Sequence, residues 1–331
     1  MKILITGAEG FIGSHLAENL VKLGYNVKAF VLYNSFSFNG WIDALPKNVK
    51  NNLEIFYGDL RDKNSLSIAA KNCDVIFNLA ALISIPYSYQ SPESFIQTNV
   101  LGTLNVLEVA KQNSVDKLIQ TSTSEVYGSA KFVPITEEHL LNGQSPYSAS
   151  KIASDQLAYS YYASYNLPVV ILRPFNTYGP RQSLRAIIPT IIFQIINGKK
   201  VINLGNIEAT RDFNFINDTV NAFIKCLNTK KGIGEAINVG SGYECKISDL
   251  VKIIAEILNV KVEIELSSER IRPKNSEVDR LLASNSKAKS MLDWTPEHNG
   301  ITGLKKGLTK TISWFQNKKN MSFYKDDGYK I

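Results

Sequence analysis

The chain opens on the apolar run Met1-Lys2-Ile3-Leu4-Ile5-Thr6, and passes directly through Gly7-Ala8-Glu9-Gly10-Phe11-Ile12-Gly13 into a segment with helical spacing that reaches Lys22. A buried strand that must feed a helix through so short a turn leaves few folds open. Its glycines permit the tight bend, let the backbone approach a ligand and let the helix pack close to the strand. Free N–H groups at the helix start then favour an anion. The turn predicts a site for the pyrophosphate of a dinucleotide.

The rest of the chain repeats the rhythm. Val27–Leu32, Leu53–Tyr57, Val75–Leu79, Lys117–Ser122 and Val169–Arg173 read as strands, and Ser14–Lys22, Ser65–Ala70, Val100–Gln112 and Ala149–Tyr165 carry apolar residues at helical spacing. Such alternation predicts an α/β fold, a doubly wound parallel Rossmann sheet with helices on both faces. Beyond the Gly179-Pro180 break the pattern loosens into a helix-like Ile187–Asn197, a strand-like Val262–Glu265 and a helix-like Gly303–Phe315. We expect residues 1–178 to form the dinucleotide-binding domain. Residues 179–331 are expected to form mainly a smaller C-terminal substrate-binding domain, with a return to the first unit near 212–240, where Asn238-Val239-Gly240 reads as a further strand end.

At 331 residues, 44% hydrophobic and 20% charged, the composition is that of an ordinary globular protein. The net charge of +7 comes from scattered basic pairs with no interleaved aromatic motif, which argues against a nucleic-acid partner and suits an anionic small substrate. Cys73, Cys226 and Cys245 have neither metal-type spacing nor an even count. No metal and no disulfide are expected, in keeping with a reducing cytoplasm. With the first strand at the start of the chain there is no room for a signal peptide, and no apolar stretch approaches the length of a bilayer span, so no membrane partner is expected.

Two further motifs carry chemistry. Tyr147-Ser148-Ala149-Ser150-Lys151 follows Pro146 and opens a helical pattern, so the phenol and the ammonium share one helix face. An ammonium about 4 Å from a forming phenolate stabilises it by at most about 4 kcal/mol at an effective dielectric near 20, which predicts a tyrosine moved from about 10 towards neutrality and able to act as a base. Ser122-Thr123-Ser124-Glu125-Val126-Tyr127-Gly128 ends the fifth strand, at the carboxyl edge where open parallel sheets bind ligands. Thr123 is placed to hydrogen-bond the substrate oxygen that Tyr147 deprotonates, and Glu125 to remove a carbon-bound proton. At the end of the second strand Ala29-Phe30-Val31-Leu32-Tyr33-Asn34 lacks both the usual ribose-binding acid and an arginine, so NAD and NADP stay unseparated here. Asp59 reads either as a contact to the adenine amino group or as a helix N-cap.

The glycine turn, Ser122–Gly128, Tyr147/Lys151 and Arg173-Pro174-Phe175-Asn176-Thr177-Tyr178-Gly179-Pro180-Arg181 together resemble the extended short-chain dehydrogenase/reductases. Thr210-Arg211-Asp212-Phe213 and Arg272-Pro273-Lys274-Asn275-Ser276-Glu277-Val278 continue the match over nearly the whole chain. Within that family the chain is most similar to the nucleotide-activated N-acetylglucosamine 4,6-dehydratases of legionaminic-acid biosynthesis. Tyr33-Asn34-Ser35-Phe36, Ile85-Pro86-Tyr87-Ser88-Tyr89, Gln144–Lys151 and Arg185-Ala186-Ile187-Ile188-Pro189-Thr190 carry this closer likeness.

The resemblance implies Thr123, Glu125, Tyr147 and Lys151 as the catalytic set. It implies NAD, with NADP not excluded, held by Gly7, Gly10, Phe11, Ile12, Gly13, Asp59, Leu60, Ala80, Tyr147 and Lys151. A UDP- or GDP-linked sugar is expected on Ser124, Asn176, Arg185, Arg211, Arg272 and Glu277, and a homodimer through the helices near Val100–Gln112 and Ala149–Tyr165. Where the thymidine-nucleotide glucose branch carries aspartate this chain has Ser124, as GDP-mannose dehydratases do, so Glu125 is expected to serve as both base and acid. A nucleotide-glucuronate decarboxylase, a 4-epimerase and a non-catalytic dinucleotide-binding regulator are the alternative readings.

Overall fold

The computed structural model describes residues 1–324; the last seven residues of the expected C-terminal region, 325–331, lie outside the described residues. Twelve strands are described: β1 (Lys2–Thr6), β2 (Asn26–Leu32), β3 (Leu53–Gly58), β4 (Val75–Asn78), β5 (Lys117–Thr121), β6 (Val169–Pro174), β7 (Asn176–Tyr178), β8 (Val201–Leu204), β9 (Thr210–Phe215), β10 (Ala236–Val239), β11 (Glu244–Lys246) and β12 (Glu263–Leu266). Seven of them form one sheet in the order β10-β6-β5-β4-β1-β2-β3, with every pair parallel.

Alternation along each strand explains the two-sided core. Ile3 and Ile5 of β1 face a cluster with Leu16, Leu20, Val220 and Phe223, from the helices Phe11–Lys22 and Ile216–Asn228. Leu4 faces the opposite cluster with Leu66, Val106, Leu107 and Ala158, from the helices Lys63–Ala70, Gly102–Gln112 and Pro146–Tyr165. Burial on both faces is what parallel strands require.

Strand order reverses at β1, which lies between β2 and β4, and a crevice opens there at the carboxyl ends of the strands. β10, with Asn238 and Val239, joins the sheet beside β6. By contrast β9 leaves it for a small sheet of order β11-β9-β7, and β8 pairs with β12. The chain thus crosses between the two regions more than once. The helix expected from Val100 starts at Gly102, preceded by a wide π-turn over Ile96–Leu101. Within that turn Asn99 is buried and bonds Leu82 N, Leu82 O and Ser150 Oγ, so its side chain tethers the turn to its surroundings. Among the described residues no helix is long and apolar enough to cross a membrane.

Candidate active site

The glycine turn is built as its spacing predicts. Gly7 sits at φ +68°, and a Cβ there would come within 2.8 Å of Ala80 Cα; at Gly13 a Cβ would lie 2.1 Å from Gly7 O. Gly10, at the N-cap of helix Phe11–Lys22, has no side chain to occupy the helix start. The space a Cβ would fill is therefore kept for a ligand's approach and for close packing of helix on turn, and these residues fit a dinucleotide pyrophosphate. Beneath the crevice Thr6 Oγ1 donates to Asn78 Oδ1 (2.7 Å) and accepts from the Ala80 N–H (3.2 Å), while Asn78 Nδ2 donates to Gln120 Oε1 (2.8 Å). This buried row ties the ends of β1, β4 and β5 together.

Asp59 follows β3 and pairs with Arg61, accepting from its guanidinium and from its backbone N–H. The Arg61 hydrogen bonds hold the Asp59 carboxyl below its ordinary range. The N-cap reading of Asp59 is corrected: Asp62 caps the helix Lys63–Ala70, accepting from Asn64 N. Three residues separate Asp59 from the first helical N–H it would have to reach. Leu60 is buried, with its carbonyl accepting from Asn105 Nδ2.

After β5 the chain makes a 3-10 turn over Ser124–Tyr127, with Thr123 as its N-cap accepting from Glu125 N at 3.2 Å. Helix Pro146–Tyr165 begins with a reciprocal capping box between Ser145 and Ser148 and with proline in its first turn. This well-fixed start sets Tyr147 and Lys151 at the carboxyl end of β5, beside Thr123 and Thr121. The Tyr147 ring packs edge-on against Phe95, centroids 6.2 Å apart, in a cluster with Ile85. Its hydroxyl shares a side-chain hydrogen bond with Thr123, and Glu125 is near enough to act on it electrostatically.

The structure corrects the expected acid strength of this phenol. Burial pushes the Tyr147 hydroxyl above its ordinary value; the Thr123 hydrogen bond opposes this, and the Glu125 and Asp155 charges add to it. Lys151 meanwhile donates to Thr121 O at 2.6 Å, and burial pushes its ammonium down to about 8. Residue spacing brings the ammonium to the same helix face but carries no measure of the desolvation of both groups.

The Lys151 shift carries a pH signature. Unfolded lysine titrates near 10.4, so between about pH 8 and that value the unfolded chain holds more protons than the folded one, and this residue favours folding increasingly as pH rises. The ammonium that can stabilise a phenolate is present below about 8. We expect kcat/KM to fall above about pH 8. Over the same range the stability of wild type should gain on that of Lys151→Met, as read by unfolding at a series of pH values; parallel pH profiles for the two proteins would contradict this.

Behind the pair lies a buried network that the sequence motifs did not disclose. Asp155 Oδ2 accepts from Ser122 Oγ (2.8 Å) and from Arg173 Nε (3.0 Å). Arg173 Nη1 donates to Tyr127 Oη (2.8 Å), which donates to Asn238 Oδ1 (2.7 Å). Asp155 also acts electrostatically on both Tyr147 and Lys151. Its position one helical turn beyond Lys151 was the only signal in the sequence. Arg173→Leu strands a carboxylate that is only 1% exposed, and is expected to destabilise the fold by about 3–5 kcal/mol in denaturant unfolding. A loss below about 1 kcal/mol would show the network to be dispensable.

A cavity of about 270 Å³ gathers Glu125, Asn176, Arg185, Arg211, Arg272 and Glu277. Arg211, 7% exposed, approaches Glu277 at 3.4 Å, and its proximity to Glu125 is felt electrostatically. Arg272 Nη1 and Asn176 Oδ1 are buried with no partner among the described residues, a donor and an acceptor held ready in one pocket. Guanidinium groups arranged so suit a diphosphate. Ser124, 2% exposed, lies beneath the turn rather than in the cavity wall. Arg270 also lines the cavity, a residue that the motifs did not single out.

Comparison with known proteins bears on this arrangement. The family described as GDP-mannose 4,6 dehydratase matches residues 4–307. The chain belongs to that family. It is one of the extended short-chain dehydrogenase/reductases, and its family relatives are mixed in activity. A putative UDP-glucose 4-epimerase of Methanocaldococcus jannaschii is 33% identical, over 95% of this chain and 98% of that one. The dTDP-glucose 4,6-dehydratase of Escherichia coli is 32% identical, over 96% and 94%. The solved structure of a double mutant of a Streptomyces venezuelae dTDP-glucose 4,6-dehydratase, with NAD bound, superposes with a TM-score of 0.85 at 27% identity, covering 96% of this chain and 98% of that one. Relatives of the chain include nucleotide-sugar epimerases, dehydratases and decarboxylases, and the chain belongs with that group.

Proposed function

We propose that this family member is an NAD-dependent nucleotide-sugar 4,6-dehydratase acting on UDP- or GDP-linked N-acetylglucosamine. The observation that carries the reading is the placement of Glu125, a carboxylate in the wall of the arginine-lined cavity and within electrostatic reach of both the Tyr147 phenol and Arg211. Exchanging a hydroxyl's configuration needs only the phenol. Removing a proton from carbon needs a second base, and Glu125 is in place to be one.

Gly7, Gly10 and Gly13 fit the pyrophosphate of NAD, and Asp59, Leu60 and Ala80 border the adenosine side; the NAD-bound relative supports the same cofactor here. Bound there, NAD would supply an acceptor for the hydride of sugar C4 and a donor for its return to C6. Tyr147 accepts the C4 hydroxyl proton, Thr123 orients that oxygen, and the Lys151 ammonium favours the phenolate. The resulting 4-ketone acidifies the C5 proton, which Glu125 removes. Glu125 passes the proton to the departing C6 hydroxyl, water leaves, and C5 finally takes a proton from solvent. Asn176, Arg185, Arg211 and Arg272 hold the nucleotide diphosphate, with Glu277 at the ribose or base. The sequence likeness to legionaminic-acid pathway dehydratases supports N-acetylglucosamine as the sugar.

Residues 1–178 supply the cofactor side and 179–331 mainly the substrate side. Exposed Ile96, Leu101, Tyr159 and Tyr165 along the helices beside the sheet support a homodimer, and sedimentation at the monomer mass would remove that part. Three buried free cysteines support a reducing cytoplasm, which localisation of a tagged chain tests. Turnover in deuterium oxide tests the base: one solvent deuterium at C5 of the product is expected, and a C5 that keeps its original hydrogen would overturn the role given to Glu125.

A further inference from the structure

The end of β2 lacks the acid that ordinarily holds the adenosine ribose in this topology. Asn34 does not replace it, because its side chain is spent on its own loop: Oδ1 accepts from Phe36 N and Phe38 N (both 3.2 Å), and Nδ2 donates to Phe38 O (2.7 Å). Tyr33 N turns towards β3, bonding Gly58 O. Leu32 N therefore faces the other way, into the gap left where β1 ends at Thr6.

A side chain from the glycine turn fills that gap. Glu9 Oε1 accepts from Leu32 N at 3.0 Å, which sets a carboxylate on the carboxyl edge of β2 from a residue 23 positions earlier. Its other oxygen, Oε2, is buried and has no partner among the described residues. The backbone holds the residue from behind: Trp41 N donates to Glu9 O (2.9 Å), and Gly40 passes so close that a Cβ there would lie 2.5 Å from the same oxygen. Glu9 lines a cavity of about 550 Å³ with Gly10, Phe11, Phe38, Gly40 and Trp41, next to the helix start that receives the pyrophosphate. A buried carboxylate oxygen without a donor calls for one, and the vicinal hydroxyls of a ribose are donors.

We propose that Glu9 replaces the missing strand-end acid, accepting from the adenosine ribose hydroxyls and repelling a 2′-phosphate, so that the site selects NAD over NADP. The inference rests on the cofactor reading above and adds to it the residue that sets cofactor choice. Glu9→Gln keeps an oxygen for Leu32 N while removing the charge.

Calorimetric titration of NAD and NADP into nucleotide-depleted full-length protein tests the proposal. Wild type should bind NAD at least about tenfold more tightly than NADP, and Glu9→Gln should weaken NAD about tenfold or more and narrow that preference. Wild type should also lose about tenfold or more for NAD that lacks the adenosine 2′-hydroxyl, a comparison that needs no variant to fold. Equal binding of NAD and NADP by wild type, or unchanged constants in Glu9→Gln, would overturn the role of Glu9 while leaving the cofactor reading intact. Wild type that binds neither nucleotide would overturn both.

Discussion

Tyr147→Phe should lower turnover by about 10²–10⁴-fold, the usual contribution of a positioned proton acceptor, while leaving nucleotide-sugar binding nearly unchanged. The ring stays, so its packing against Phe95 and Ile85 is kept, and the fold loses only the hydrogen bond with Thr123, about 0.5–1.5 kcal/mol. No reduced cofactor should appear on mixing the variant with substrate, because without the phenol the C4 alcohol keeps its proton. The weakened acidity of the resting phenol sharpens this expectation. Burial holds Tyr147 protonated, so its work as a base relies on cationic charge brought close to it when the site is loaded. Activity within a few-fold of wild type would assign the proton to another group.

Glu125→Gln should also cost about 10²–10⁴-fold in product formation, but at a different step. An amide of the same shape can still hydrogen-bond the sugar; it cannot take the C5 proton. The first oxidation then proceeds and stops, so reduced cofactor should persist in near-ultraviolet absorbance after mixing with substrate, in contrast to Tyr147→Phe. Removing the charge also relieves its upward pressure on Tyr147, which makes the initial oxidation no harder. Dehydrated product at the wild-type rate would take Glu125 out of the elimination.

What was legible in the sequence was what local pattern encodes. Strand and helix alternation followed from hydrophobic periodicity, and the six early strands appear with ends shifted by one residue or so, because all but the half-buried edge strand β3 are buried on both faces and their apolar runs are their signature. The helix Ile216–Asn228 escaped notice. It follows β9 without a break and starts at Phe215, which offers no capping side chain, so no start signal marks it.

At the site, Tyr147, Lys151 and Thr123 were found because they lie in short motifs at the end of β5 and the start of one helix. The Asp155–Arg173–Tyr127–Asn238 network was not, since each link joins two different elements rather than positions within one motif. Glu9 sat inside the glycine motif with no role assigned to it; only folding sets it against the end of β2. The phenol's acidity was misjudged for a related reason, because charge spacing can be read from sequence and burial depth cannot.

The most direct test is to incubate the purified protein with UDP- and with GDP-linked N-acetylglucosamine and weigh the products. A Glu125 carboxylate acting on a transient 4-ketone predicts, for one of the two, a product lighter by one water with no added cofactor consumed. An unchanged mass with inverted C4, or conversion confined to a glucuronate substrate with loss of carbon dioxide, would contradict it.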